Sequence, residues 1–193
     1  MAGDLSDVEL MLKVRDGDRE AFSALVQRYR KPLMNFIYRF TTDPGLAEDL
    51  THEVFLKAFQ AAPKYEPTAG FSTWLYRIAT NATLNHIRDH KPQLSCSIET
   101  IENEKSPPSE VRDPKLLAED ELIQQERTIQ VRRAVKSLPE NQRLALILTK
   151  YQDLSLKETA QVLKLSESAV KSLIFRAYSS LRERLTPLVA ART

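Results

Sequence analysis

Residues 155–185 read SLKETAQVLKLSESAVKSLIFRAYSSLRERL, and two helix starts lie within them. Ser155 with Glu158 has the spacing of a capping box, in which each side chain satisfies a backbone donor that a helix N-terminus otherwise leaves open. Ser166 supplies a second N-cap just beyond the apolar pattern of LKETAQVLKL. The spacing predicts two helices and a three-residue turn, the helix-turn-helix arrangement, which needs a small residue at the crossing and apolar residues beside the turn. Ala160 is the small residue. Leu163, Leu165, Val170 and Leu173 flank the turn, and Ile174, Ala177, Leu181 and Leu185 continue the buried face. Lys164 stands in the turn where glycine or asparagine is common, so a bulkier side chain must make the bend. Ser168, Lys171, Ser172, Phe175 and Arg176 remain as a patch on the outer side of the second helix, near the end that groove-reading helices present to bases and phosphates. A plain αα-hairpin with no DNA role is the simpler alternative.

Charge weighs against that alternative. The 193 residues carry 28 Lys and Arg against 26 Asp and Glu, a net of +2. The near balance conceals a division, with −1 over residues 1–90, −5 over 91–126 and +8 over 127–193. So dense a positive segment is the footprint of a module that meets phosphates. Between the halves runs KPQLSCSIETIENEKSPPSEVRDPK, where four of the ten prolines fall between Pro92 and Pro114 and no apolar period survives. Prolines remove backbone donors and the acidic residues repel one another, which predicts an extended linker with little core. The division is therefore an N-terminal domain over 1–91, a flexible acidic linker over 92–126 and a C-terminal domain over 127–193. In the last, Asp113-Pro114 starts a helix reaching about Ser137, with Leu117, Ile123, Val131, Ala134, Val135 and Leu138 apolar. Leu138-Pro139-Glu140 restarts the chain for a helix to about Gln152 that uses Leu144, Ile147 and Leu148.

The N-terminal part reads as helices throughout. Ser6 with Glu9 is another capping box. From Asp18 the residues Phe22, Leu25, Val26, Tyr29, Leu33, Phe36, Ile37 and Phe40 recur at helical spacing, with Pro32 predicting a kink or a break. Asp43 as N-cap and Pro44 at the first helical position start a helix over 44–60, where Ala47, Leu50, Val54 and Ala58 face one way and Glu48, Asp49, His52 and Glu53 cluster on the rest. Pro63, Pro67 and Gly70 break the chain, and Ser72 caps a helix running to about His90. On that helix Leu75, Ile78, Ala79, Ala82 and Ile87 can face a core, while Trp74, Arg77, Asn81, Asn85 and Arg88 form a second stripe. An indole, guanidinium groups and amides, with Tyr65 and Phe71 in the loop before them, are the chemistry that stacks bases, neutralises phosphates and reads unpaired base edges. Equally, Phe71 and Trp74 are candidates for the core and Asn81 for a surface amide.

Composition excludes much else. Four glycines, about 2% of the chain and none after Gly70, leave no glycine-rich phosphate loop or dinucleotide fingerprint. Cys96 is the single cysteine, so no internal disulfide is available. The start MAGDLSDVEL lacks the basic and apolar regions of a signal peptide, and no apolar run approaches the roughly 18 residues of a membrane span. These features predict an all-α chain of two helical domains in a reducing cytoplasm, without membrane insertion, the second domain a four-helix, winged-helix-like module.

The motifs AEDLTHEVFLKAF (47–59), GFSTWLYRIATNATLNHIR (70–88), LPENQRLALIL (138–148) and LSLKETAQVLKLSESAVKSLIFRA (154–177), in this order, resemble those of the extracytoplasmic-function (ECF) sigma factors of bacterial RNA polymerase. The likeness spans Asp7 to Leu185. It implies that the helix beginning at Asp43 binds the clamp helices of the polymerase's largest subunit through Asp43, Glu48, Asp49, His52 and Glu53, with His52 where the family usually has glutamine. It implies that Tyr65, Phe71, Trp74, Arg77, Asn81 and Arg88 engage the melted minus-ten element and trap a flipped base near the loop before Phe71. Stacking at about 1–3 kcal/mol per base offsets the unstacking, so melting needs no ATP. The linker is implied to thread toward the polymerase active centre. Ser168, Lys171, Ser172, Phe175 and Arg176 are implied to enter the major groove of the minus-thirty-five element. Leu173 and Tyr178 stand where the family often has further arginines, leaving Arg143, Lys150 or Lys157 to supply phosphate contacts. The resemblance further implies a factor used in stress responses, with core polymerase, promoter DNA and, in many relatives, an anti-sigma factor as partners, no cofactor, no metal and no catalytic residue.

Two other classes compete. A stand-alone helix-turn-helix regulator would place a ligand or phosphoacceptor domain with strands in the first half, where no strand signal exists. A metalloenzyme would rest on His86 and His90, four apart with Asp89 beside them, and no third ligand of suitable spacing follows.

Overall fold

The computed structural model describes residues 5–89 and 118–190, with side chains placed in 5–89 and 126–186. Every regular element among them is helical. In the first group α1 spans Asp7–Arg15, α2 Arg19–Thr41, α3 Pro44–Ala61 and α4 Phe71–Asp89, with a 3-10 turn at Ala62–Lys64. In the second group α5 spans Ala118–Lys136, α6 Glu140–Tyr151, α7 Leu156–Leu163 and α8 Glu167–Ala190.

Local chemistry sets most starts. Ser6 and Glu9 exchange hydrogen bonds as the capping box of α1. The Asp18 carboxylate accepts from the amides of Glu20 and Ala21 at the head of α2, and the Asp43 carboxylate accepts from Leu46 at the head of α3. Ser155 and Glu158 cap α7, and the Ser166 hydroxyl accepts from Ala169 at 3.2 Å at the head of α8.

Several expectations are corrected. Pro32 does not break α2, which runs unbroken for 23 residues. Leu25 on one side of the proline and Leu33, Phe36, Ile37 and Phe40 on the other enter the same core, and their burial outweighs one missing hydrogen bond. Helix α4 starts at Phe71, so Ser72 lies inside it, and the Trp74 amide donates to the Gly70 carbonyl at 3.1 Å. Residues 118–126 are helical as the reading from Asp113-Pro114 expected, so the helix overlaps the span counted as linker. The second domain has its four helices but carries no wing among the described residues, since a wing requires strands. Val131 and Leu165, read as apolar-face residues, are exposed. The start at Asp113-Pro114, Leu117, most of the linker with Cys96, and His90 lie outside the described residues.

The crossing of α7 and α8 is built as the pattern requires. Ala160 packs with Ala145 and Val170, lined by Leu163, Leu173 and Ile174, while Leu138, Leu146 and Ala177 form a second small cluster with Val135 and Leu181. The main core belongs to both groups. Leu144, Ile147, Leu148, Leu154 and Val162 join the cluster that contains Phe36, Ile37, Phe40, Leu75 and Ala79.

Candidate nucleic-acid interface

On α4 the stripe read from the sequence separates into a floor and a surface. Tyr65 and Phe71 are each only 2% exposed, so neither ring is available to stack on a base in this structure; Phe71 takes the core position that was its alternative reading, and the reading of Tyr65 as a contact residue is corrected. They are the platform beneath Trp74, whose half-buried indole meets Tyr65 edge-on at 5.2 Å and Phe71 at 5.9 Å. Tyr29 backs Phe71 at 5.2 Å and is itself anchored, its hydroxyl donating to Asp7 at 2.5 Å. Burial raises the Tyr29 phenol well above its ordinary range and also raises Tyr65, so both stay neutral. Arg77, Asn81, Asn85 and Arg88 are exposed along the adjoining side. Arg88 reaches Glu140 of the second group at 3.4 Å. An indole clamped by two buried rings and flanked by a free guanidinium and a free amide offers a rigid stacking edge with donors beside it.

On α8, Ser168, Lys171, Ser172, Phe175 and Arg176 are all exposed, Phe175 by 72%. Val170 and Ala177 point inward from the same helix, so the patch is what the helix-turn-helix packing leaves outside. Ser172 donates back to the Ser168 carbonyl at 3.0 Å, and Ser168 and Ser166 hydroxyls lie 3.0 Å apart. The cationic and aromatic groups project from a scaffold fixed by packing.

The acidic face of α3 is exposed at Glu48, Asp49, His52 and Glu53. Asp43 is engaged as the N-cap, Glu48 pairs with Arg30 at 3.3 Å and Glu53 pairs with Lys57. Sequence reasoning missed two apolar residues on that face, Leu56 at 57% and Phe59 at 41% exposure. Their signal was available, because positions 56 and 59 fall at helical spacing from 48, 49, 52 and 53 and not from 47, 50, 54 and 58. Phe59 is steadied by Phe22 at 5.0 Å. No group of three or more His, Cys, Asp or Glu side chains suited to a metal ion occurs among the described residues, and no described helix is long and apolar enough to cross a membrane.

A helical domain bearing an aromatic-backed, cationic edge, joined to a helix-turn-helix with an exposed basic patch, defines a class: a DNA-reading factor that uses two separate domains on one template. Residues 25–93 match the family description Sigma-70 region 2, and residues 128–181 match Sigma-70, region 4. The chain is 32% identical to the RNA polymerase sigma-H factor of Pseudomonas aeruginosa, with 95% of each covered. It is 31% identical to the ECF RNA polymerase sigma factor SigW of Bacillus subtilis over 94% of this chain and 100% of the relative. It is 32% identical to the ECF RNA polymerase sigma-E factor of Escherichia coli K12 over 98% and 99%. The fold matches that of CnrH, solved in complex with the cytosolic domain of CnrY, with a TM-score of 0.69 at 23% identity over 97% of this chain and 99% of that one. It also matches RpoE of Bartonella quintana, solved with the anti-sigma factor NepR, with a TM-score of 0.65 at 22% identity over 86% and 96%. The chain belongs to the ECF sigma factors of the sigma-70 family. It directs core RNA polymerase to promoters, as a member of a class of non-catalytic initiation factors.

Proposed function

We propose a division of that activity among three surfaces, with domain limits at 1–91 and 127–193 around the linker of 92–126. Trp74 on its aromatic platform stacks an unpaired base of the minus-ten element, with Arg77 and Arg88 neutralising backbone phosphates and Asn81 reading a base edge. The patch of Ser168, Lys171, Ser172, Phe175 and Arg176 sits in the major groove of the minus-thirty-five element, where Lys171 and Arg176 meet phosphates or guanine edges and Phe175 packs on a thymine methyl. Core polymerase is met by the α3 face of Glu48, Asp49, His52 and Glu53, joined by Leu56 and Phe59, with Asp43 holding the helix start. Opened promoter DNA is stabilised by binding alone, so no catalytic residue is required, and the protein acts in the cytoplasm where polymerase and promoter are found. One related fold was solved with an anti-sigma factor bound, and such a partner is a further expectation for this chain.

The observation that carries this reading is the α4 surface, where one indole is presented between a buried aromatic floor and the exposed Arg77 and Asn81. Reconstitution with bacterial core polymerase tests it. Lys171→Ala with Arg176→Ala lowers promoter-specific transcription about tenfold or more, with polymerase binding unchanged, since each good base or phosphate contact contributes about 1–3 kcal/mol. Asn81→Ala reduces permanganate reactivity of promoter thymines while duplex binding persists. Wild-type transcript levels in the double variant remove the α8 assignment, and unchanged thymine reactivity removes that of Asn81.

A further inference from the structure

We propose that Asp7, in the first turn of α1 and remote in sequence from α4, is a positioning residue for the minus-ten surface: its carboxylate fixes the Tyr29 ring that backs Phe71, and through Phe71 it fixes the indole of Trp74. The proposal rests on the reading of Trp74 as the stacking residue.

Three rings support the indole, and they are held in different ways. Phe71 is buried and has no polar side-chain atom. The Tyr65 hydroxyl is buried without a hydrogen-bond partner among the described residues, so packing alone holds that ring. Tyr29 is held at its far end. Its hydroxyl donates to Asp7 Oδ2 at 2.5 Å, a distance typical of the strong bonds that a hydroxyl makes to a carboxylate. The other oxygen of the same carboxylate accepts from Arg28 Nη1 at 2.7 Å, and that nitrogen also donates to the Leu5 carbonyl at 3.0 Å. With a donor on each oxygen, the carboxylate is kept from turning away from the phenol. One polar tie therefore serves all three rings.

Ring contacts transmit the tie. A tyrosine side chain turns on two torsions, and anchoring its hydroxyl restricts both. So held, Tyr29 meets Phe71 with the ring planes 71° apart, and Phe71 meets Trp74 with planes 39° apart. Asp7 also acts on the remaining ring, since burial first and the Asp7 charge second raise the Tyr65 phenol. A role confined to holding α1 explains less. That helix already has its Ser6 and Glu9 capping box and buries Leu10, Met11 and Val14 in the main core, so neither its start nor its docking needs Asp7. A stacking site, by contrast, works at full strength only when its groups stay within about 0.5 Å and 10–20° of the productive geometry. Trp74 is half-buried, and an indole free to rock must first be ordered by the base it receives, which weakens the stack.

Trp74 is the single tryptophan of the chain, so its fluorescence reports the platform directly. Full-length Asp7→Ala, Asp7→Asn, Tyr29→Phe and Asp7→Ala/Tyr29→Phe are compared with wild type under conditions where each is folded. Acrylamide quenching of Trp74 rises in Asp7→Ala and in Tyr29→Phe. With core polymerase bound, affinity for core is unchanged, while permanganate reactivity of minus-ten thymines falls about threefold to tenfold, the range that one lost hydrogen bond gives. The double variant loses no more than Asp7→Ala, because both substitutions break the same bond. Asp7→Asn keeps an acceptor oxygen and recovers part of the loss. A purely structural Asp7 would lower urea midpoints and move neither quenching nor thymine reactivity. Tyr29→Phe keeps the ring and removes one oxygen, so it decides the matter even if Asp7→Ala folds poorly. Wild-type quenching and reactivity in Tyr29→Phe, or losses that multiply in the double variant, overturn the proposal. Failure of the stacking reading is seen separately, as wild-type thymine reactivity in Trp74→Ala.

Discussion

Lys164 is where the helix-turn-helix departs most from what its backbone prefers. Its φ of 56° and ψ of 44° place it in the left-handed region at the C-cap of α7, with its amide donating to the Ala160 carbonyl. A side chain with a Cβ costs about 1–2 kcal/mol there, and glycine does not. Lys164→Gly therefore raises the urea midpoint of the chain, by about 1 kcal/mol in stability with the slope unchanged. Lys164→Val lowers it, because branching at Cβ worsens the same clash. Equal midpoints for both substitutions show that the turn is not strained at this residue. The bulkier turn was legible in the sequence because the turn length is fixed by Ser166, whose hydroxyl caps α8. The burial of Phe71 was one of two readings the sequence left open and that of Tyr65 was not legible, since an aromatic residue beside a loop reads alike whether it floors a site or lines it.

At the scale of elements, helices with local start signals were readable and those governed by tertiary packing were not. The capping boxes at Ser6 and Ser155 involve residues three apart and appear as read. The unbroken path through Pro32 depends on a core assembled from six helices, and the face of α4 used by Tyr76 depends on a partner more than seventy residues away. Periodicity shows that a stripe exists and not what covers it. The cap of α7 carries a pH signature. Hydrogen bonds from the Ser155 hydroxyl and amide hold the Glu158 carboxyl below its ordinary value of 4.5. A carboxyl lowered by folding adds stability that is complete above that value and is lost as the pH falls through the folded value. Urea midpoints accordingly drop between pH 6 and pH 3.5. Ser155→Ala costs about 1 kcal/mol at pH 6 and flattens that part of the drop. A Ser155→Ala chain with the full wild-type pH dependence shows that the cap is not its source.

Taken as a whole molecule, the chain joins its two groups of helices through one hydrophobic cluster, and that sharing has a thermodynamic consequence. Leu144, Ile147 and Leu148 of α6 are almost wholly buried in the same cluster as Leu33, Phe36 and Ile37 of α2, so neither domain can unfold without exposing apolar surface on the other. Coupling of this kind makes two units melt together. Calorimetry of the free chain shows a single transition whose van't Hoff and calorimetric enthalpies agree. Tyr76→Phe/Tyr151→Ala, which removes the Tyr76 bond to Gln152 and the Tyr151 ring beside Arg39 and leaves the interior of each domain untouched, splits it into two overlapping transitions, each with roughly half of an enthalpy near 0.7 kcal/mol per residue. Two transitions in the wild type would mean that the seam is too weak to couple the domains. A single unchanged transition in the variant would place the coupling in the aliphatic seam alone, with Tyr76, Gln152, Arg39 and Tyr151 as bystanders.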